Sequence, residues 1–480
     1  MSGGPLVVIG DALLDVDLEG TAERLSPDAP VPVVDCVREH ERPGGAGLAA
    51  RLAAGLTGHD VVLITATGDD RAGRRLEELI SAYAEVVRLP MSGTSSCKIR
   101  VRAAGQSLIR IDKGDGRVTG GPLAPRVTEV LGQAGAVLVS DYGRGVAAHP
   151  GLRRSLASLP DRVPVIWDPH PLGAVPLPGA RLVTPNHAEA RALAGNANGA
   201  AAGPLTQAAR DAAALVGRWR VTGVAVTLGE RGALLSVGER APYVSPAPRL
   251  SPHFRADGCG AGDCFAAAAA HVLHGGGVVT EAVTEAVRCA SAFVAAGGVS
   301  AADGTGAYGR PEDSAGAAPE GDGPWDVVRR ARDGGGRVVA TGGCFDLLHA
   351  GHVSMLREAR RLGDCLVVCV NSDASVRRLK GPDRPLVPLA DRTRVLAALE
   401  CVDAVAVFDE LTPVEVLERL RPDVWVKGAD YSGVDLVEAE TVRRHGGEVV
   451  LLPYLDGRST SRLVARVRET AGVILGGDGE

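Results

Sequence analysis

The 480-residue sequence predicts an α/β protein made of two consecutive units, each a largely parallel sheet covered by helices. Three observations predict this. Short apolar β-branched runs alternate with Ala/Leu/Arg-rich stretches, the signature of strand–helix–strand crossovers. The alternation stops at "RPEDSAGAAPEGDGP" (Arg310–Pro324), a Pro/Gly/Ala-rich and aperiodic stretch, and then restarts. An apolar fraction of 45% beside 23% charged residues supports a buried core rather than global disorder.

In the first unit the strand-like runs are "PLVVIG", "VVLITATG", "AVLVSDY", "VPVIWD", "RLVTPN" and "GVAVTLG". Helical stretches such as "GAGLAARLAAGL" and "DRAGRRLEELISAY" fall between them. From Asp35 to Arg42, and again around "SSCKIRVRAAGQSLIRIDKGD", the pattern is that of antiparallel strands, which suggests a small sheet acting as a lid. Residues 311–325 read as a linker between domains 1–310 and 326–480. After it, "GRVVATGGCFD", "DCLVVCVNSD", "AVAVF", "DVWVKG" and "GEVVLLP" supply strands, with helices at "HVSMLREARRLG", "DRTRVLAALECV" and "TPVEVLERL". The last of these opens with Thr412 as N-cap, Pro413 at the first helical position and Glu415 three after the cap. The two halves share no internal repeat.

Composition excludes several function classes. Aromatics are only 3%, too few for the stacking platforms of single-strand nucleic-acid binders. Net charge is −6 with no long basic run, which argues against nucleic acid or an anionic membrane surface as partner. No uninterrupted apolar stretch reaches the ~18 residues of a transmembrane helix. "MSGGPLVVIGD" reads as a first strand rather than a signal peptide. The nine cysteines are scattered without a C-x-x-C pair, so free thiols in a reducing, cytoplasmic setting are expected.

Two stretches look built for phosphate. In "DGCGAGDCF" the small residues Gly260, Ala261 and Gly262 let backbone N–H groups turn toward an anion, and the helical "CFAAAAAHVL" that follows would aim its N-terminus there. Asp263, at the turn, is a candidate general base for an attacking sugar hydroxyl; the plain alternative is a helix cap. With 63 glycines in the chain, such a string arises easily by chance, so its neighbours carry the weight. "GDALLD" brings Asp11 and Asp15 as candidate sugar contacts, and "RPGGAG" brings Gly44 and Gly45 before a helix. "TPNHAEA" offers Asn186 and Glu189; "VTLGERG" offers Thr227 and Gly229. All fall near strand ends, where open α/β sheets bind ligands.

The second stretch is "FDLLHAGH". His349 and His352 flank Ala and Gly at a strand-to-helix junction, where two imidazoles can face one phosphate and the Gly leaves room for a nucleotide. The plain alternative is a pair of histidines that merely start a helix. Around it stand Phe345, "RRLKG" with Lys380, "VKGADY" with Lys427, and "DGRSTSRLV" with Ser459, Thr460 and Ser461.

These motifs carry a resemblance. Residues 1 to about 310 resemble the ribokinase-type (PfkB) carbohydrate kinases. That implies a three-layer α/β/α domain with a small β lid, an anion hole at Gly260–Gly262, Asp263 as catalytic base, ATP beside Thr227 and Gly229, and Mg²⁺ handling by Asn186 and Glu189. The second unit resembles the nucleotidylyltransferases related to cytidylyltransferases, with a Rossmann-like fold. There His349, His352, Lys380 and the Ser459–Ser461 element would act on the phosphates with Mg²⁺, and Phe345 and Lys427 would line the nucleotide site.

The order of the halves, with "SPDAPVPVV", "LIRID", "SDYGRG" and "NSDASVRRLKG", resembles the bifunctional heptose 7-phosphate kinase/heptose 1-phosphate adenylyltransferase family. That resemblance implies a sugar phosphate and ATP as substrates, a separate phosphatase acting between the two steps, and a homo-oligomer formed through the kinase domain. The sequence departs from the family at Leu48 (usually Asn), His170 (usually Lys), Cys259 and Cys264 (usually Thr) and Gly342 (usually Asn). These departures keep two alternatives open: the same reactions on another sugar phosphate, or a kinase half that only binds nucleotide.

Overall fold

The computed structural model describes residues 4–58, 60–103, 106–195, 204–238, 241–248, 258–301, 323–428 and 437–452. Ser459, Thr460 and Ser461, and nearly all of the linker segment, lie outside them. By compactness the chain divides into Met1–Ala202, Arg210–Leu228 and Ser251–Arg310 as one unit, and Gly203–Ala209, Gly229–Leu250 and Pro311–Glu480 as the other.

In the first unit, seven strands run parallel in the order Val224–Thr227, Leu182–Val183, Val165–Asp168, Ala136–Ser140, Leu6–Gly10, Val61–Ala66 and Glu85–Leu89. The central strands are buried on both faces and so read as continuous apolar runs; Leu6, Val7, Val8 and Ile9 are fully buried. Strand order reverses on either side of Leu6–Gly10. Its neighbours are Ala136–Ser140 and Val61–Ala66, which places a switch point at the carboxyl end where Asp11 follows.

The lid expected between Asp35 and Arg42 is a four-stranded sheet in the order Pro32–Gly45, Ala12–Leu25, Cys97–Ala103 and Gln106–Lys113. It is mixed rather than antiparallel throughout, because Ala12–Leu25 and Cys97–Ala103 pair in parallel, Asp15 opposite Lys98. "GDALLD" therefore does not simply close the first strand. Asp11 sits in the break after it, and Asp15 belongs to a lid strand.

In the second unit the parallel order is Ala404–Phe408, Cys365–Asn371, Val338–Gly343, Val424–Gly428 and Glu448–Leu452. Glu448–Leu452 is followed by Tyr243–Ser245 in parallel and Ala233–Ser236 antiparallel to that. The reversal lies between Val338–Gly343 and Val424–Gly428, next to the double-histidine motif. The core includes Val338, Val367, Cys369, Leu417 and Trp425. The helix expected from Pro413 spans Val414–Leu420, with Pro413 itself at the cap.

All nine cysteines are free, and Cys264, Cys289, Cys365 and Cys369 are buried. Among the described residues no helix is long and apolar enough to cross a membrane.

Candidate active sites

The glycine-rich loop leads straight into the helix Ala261–His274. Gly260 is its N-cap, at φ 82°, and a Cβ there would lie 2.6 Å from Val299 Cγ2 and 2.9 Å from Leu48 Cδ2. Only glycine fits both the backbone and the space. Leu48, the residue standing where the resembled family has Asn, thus packs beneath the loop. Nothing within 4 Å would meet a Cβ at Gly262, so that part of the loop faces open space. Asp263 falls in the first helical turn, not at the cap.

Asp263 is buried, and its carboxyl is pushed up to about 7. Burial is the main cause; Asp15 adds to it, while a hydrogen bond from Tyr142 and the charge of Lys98 pull the other way. Asp168 at the end of its strand is also pushed well up, by burial and by Asp263, although it accepts from Thr184 Oγ1 at 2.8 Å. A base held near neutrality beside a helix N-terminus is suited to accept a hydroxyl proton while N–H groups face a phosphate.

The structure gives some expected residues supporting roles. The Asp11 carboxylate accepts from the backbone N–H groups of Tyr142, Arg144 and Val146 at 3.1, 2.9 and 3.1 Å. Asp15 is paired with Arg100 at 2.8 Å. A Cβ on Gly44 would lie 2.4 Å from Asp15 Oδ2, so this glycine makes room for the carboxylate. Gly45 takes φ 58°. Asp17, buried beside them, pairs with Arg42.

Asn186 and Glu189 form a reciprocal capping box on the helix His187–Ala194. Asn186 Oδ1 accepts from Glu189 N at 3.0 Å, and Glu189 Oε2 accepts from Asn186 N at 2.8 Å. Burial raises the Glu189 carboxyl. Thr227 ends its strand and bridges to Asn186, and Gly229 takes φ 63°. Among the described residues no cluster of three or more His, Cys, Asp or Glu is arranged to hold a metal ion. The residues would fit Mg²⁺ arriving with nucleotide phosphates, for which the Glu189 oxygen outside the capping box would be a contact.

In the second unit, Val338–Gly343 leads through Phe345, a non-glycine residue at φ 47°, to the helix Ala350–Arg360. His349 is its N-cap, and its Nδ1 accepts from Gly351 N at 3.2 Å. That bond places the ring proton on Nε2. The rings of Phe345 and His352 lie 5.4 Å apart. Burial, then His349 and Lys380, lowers His352 to about 4. Lys380 is exposed at the end of the helix Asp373–Lys380. Lys427 is buried, paired with Glu438 at 3.0 Å and 3.4 Å from the Gly342 carbonyl.

Two arrangements here escaped the sequence reading. Buried Arg392 donates to the carbonyls of Val387, Cys344 and Asn371 at 3.0, 2.6 and 2.9 Å, and to Asp373 at 2.7 Å. Asp346 accepts from Leu386 N, Val387 N and Arg384. Burial would raise its carboxyl, but these bonds together hold it below its ordinary value. Gly342 meets Trp425: a Cβ there would lie 2.6 Å from Trp425 Cη2, which accounts for glycine in place of the usual Asn.

Residues 5–304 match the pfkB family carbohydrate kinase model, and residues 340–452 match the cytidylyltransferase-like model. A curated relative from Streptomyces coelicolor, the bifunctional protein HldE, is 56% identical over 467 residues, 97% of either chain. The chain belongs to the bifunctional HldE family. The HldE of Edwardsiella ictaluri is 39% identical over 479 residues, again 97% of either chain. Both enzyme halves of HldE proteins are therefore present: a ribokinase-like α/β/α kinase domain with its β lid and a Rossmann-like nucleotidylyltransferase domain. Among solved structures, Arabidopsis thaliana ribokinase complexed with ribose and ATP is 21% identical with a TM-score of 0.46, covering 61% of this chain and 93% of that one.

Proposed function

We propose that the protein makes ADP-heptose in two separated steps. In the first, the C1 hydroxyl of D-glycero-β-D-manno-heptose 7-phosphate attacks the γ-phosphorus of ATP. Its proton passes to Asp263 and ADP leaves. In the second, after a separate phosphatase has removed the 7-phosphate, an oxygen of the heptose 1-phosphate attacks the α-phosphorus of ATP and pyrophosphate leaves. No covalent enzyme intermediate is needed. His349, neutral His352 and Lys380 position and neutralise the phosphates. Bound Mg²⁺ would supply further charge neutralisation in each half, with Glu189 as a contact in the kinase.

The observation that carries this reading is the pairing, in one HldE-family chain, of a buried base near neutrality behind a helix N-terminus with two imidazoles at a second. The domain limits 1–310 and 326–480, the cytoplasmic setting and assembly through the kinase domain belong to the same proposal. The test is phosphorus NMR of the full chain with ATP, Mg²⁺ and the heptose 7-phosphate. A 1,7-bisphosphate is expected, and ADP-heptose once a phosphatase is added. A clear preference for a hexose phosphate would overturn the heptose assignment.

A further inference from the structure

Tyr142 belongs to none of the motifs assigned a role above, yet three of them converge on it. Asp11 holds its backbone N–H and those of Arg144 and Val146, fixing the loop. Gly45 lies against its ring: a Cβ there would stand 3.4 Å, contact distance, from both Cδ2 and Cε2 of Tyr142. Lys98 of the lid stands 5.4 Å from the ring centroid. The phenol O–H then reaches both oxygens of Asp263, Oδ1 at 2.9 Å and Oδ2 at 3.0 Å.

One O–H proton shared between two carboxylate oxygens lies across the carboxylate and fixes its plane. A donor so placed favours the ionised form, the form that can take a proton. Resting on the kinase reading above, we propose that Tyr142 is the positioning residue of the kinase base: its phenol orients Asp263 toward the sugar hydroxyl and keeps it available as a carboxylate. Other charged or titratable groups act on this pair. Asp15 and Lys98 reach Asp263 from two lid strands, Asp168 faces both from its own strand end, and Cys259 acts on Tyr142 from the glycine loop. Burial and Asp15 favour the protonated acid. Tyr142, then Lys98 and Asp263's own backbone N–H, oppose them.

The test compares kinase kcat/KM against pH for wild type and Tyr142→Phe. Loss of the donor is expected to move the acid limb upward by on the order of one pH unit. A ring-fluorinated tyrosine at 142, a stronger donor, is expected to move it downward. Adenylyl transfer by the same chains reports on folding. Carbon-13 NMR of labelled aspartate, with the Asp263 signal assigned by Asp263→Asn, gives the same midpoint without any sugar. A wild type inactive on the heptose would overturn the substrate assignment and leave the NMR titration to decide on Tyr142. An Asp263 midpoint unmoved by both Tyr142 replacements overturns the proposal. Should the Phe variant misfold, the fluorinated chain decides.

Discussion

The imidazoles of His349 and His352 stack with centroids 4.0 Å apart and planes 34° from parallel. At that distance a proton on one penalises a proton on the other, and His352 is already disfavoured as a cation by burial. Burial therefore holds it as a neutral imidazole.

That neutrality has a stability consequence. The folded value is about 4, and an unfolded histidine titrates near 6.5. Above pH ~6.5 both states are neutral and the contribution is complete. As pH falls from there toward 4, only the unfolded chain takes the proton, so stability is lost. The loss is on the order of 3 kcal/mol once pH is below 4, of which about 2 kcal/mol has gone by pH 5. Hydrogen exchange of the strand Val338–Gly343 should show it between pH 7.5 and 5 in wild type, and much less of it in His352→Asn.

Asp263→Asn should lower kinase turnover by about 10²- to 10⁴-fold, the usual contribution of a positioned base. Adenylyl transfer should stay unchanged. Since the base must be ionised, wild-type kinase kcat/KM should fall as pH drops below about 7. Kinase turnover surviving unchanged in Asp263→Asn would remove Asp263 from the mechanism.

Arg392 ties the loop after Val338–Gly343 to the ends of two other segments. Arg392→Met should cost about 3–5 kcal/mol by stranding three carbonyls and the Asp373 carboxylate. Arg392→Lys should not restore it, because an ammonium lacks the planar fork. Thermal melting and adenylyl transfer both read this out.

Gly342 and Trp425 should be energetically coupled. Gly342→Asn alone should destabilise by about 1–3 kcal/mol through overpacking. Combined with Trp425→Val, the same change should cost less, with a coupling of about 1 kcal/mol or more in a double-mutant cycle. Strict additivity would show that the Trp425 ring does not select glycine.

The sequence by itself determined the strand–helix alternation, the restart after Arg310 and the strand ends at which polar groups gather. Those features are local: apolar runs without polar interruption make doubly covered strands, and glycine before a helical run makes an anion-facing turn. The lid was legible as strands, but its parallel pairing was not, because register depends on a partner some 83 positions away, as in Asp15 opposite Lys98. Tertiary structure alone made Asp11 the clasp of a loop 131 positions on, and set Tyr142 against Asp263 across 121 positions. It also filled the space at Gly342 with Trp425. A spacing in sequence carries the period of its own helix or strand. Burial, which raises Asp263 and lowers His352, and the hydrogen bonds that oppose or assist it, exist only once distant segments close around the group.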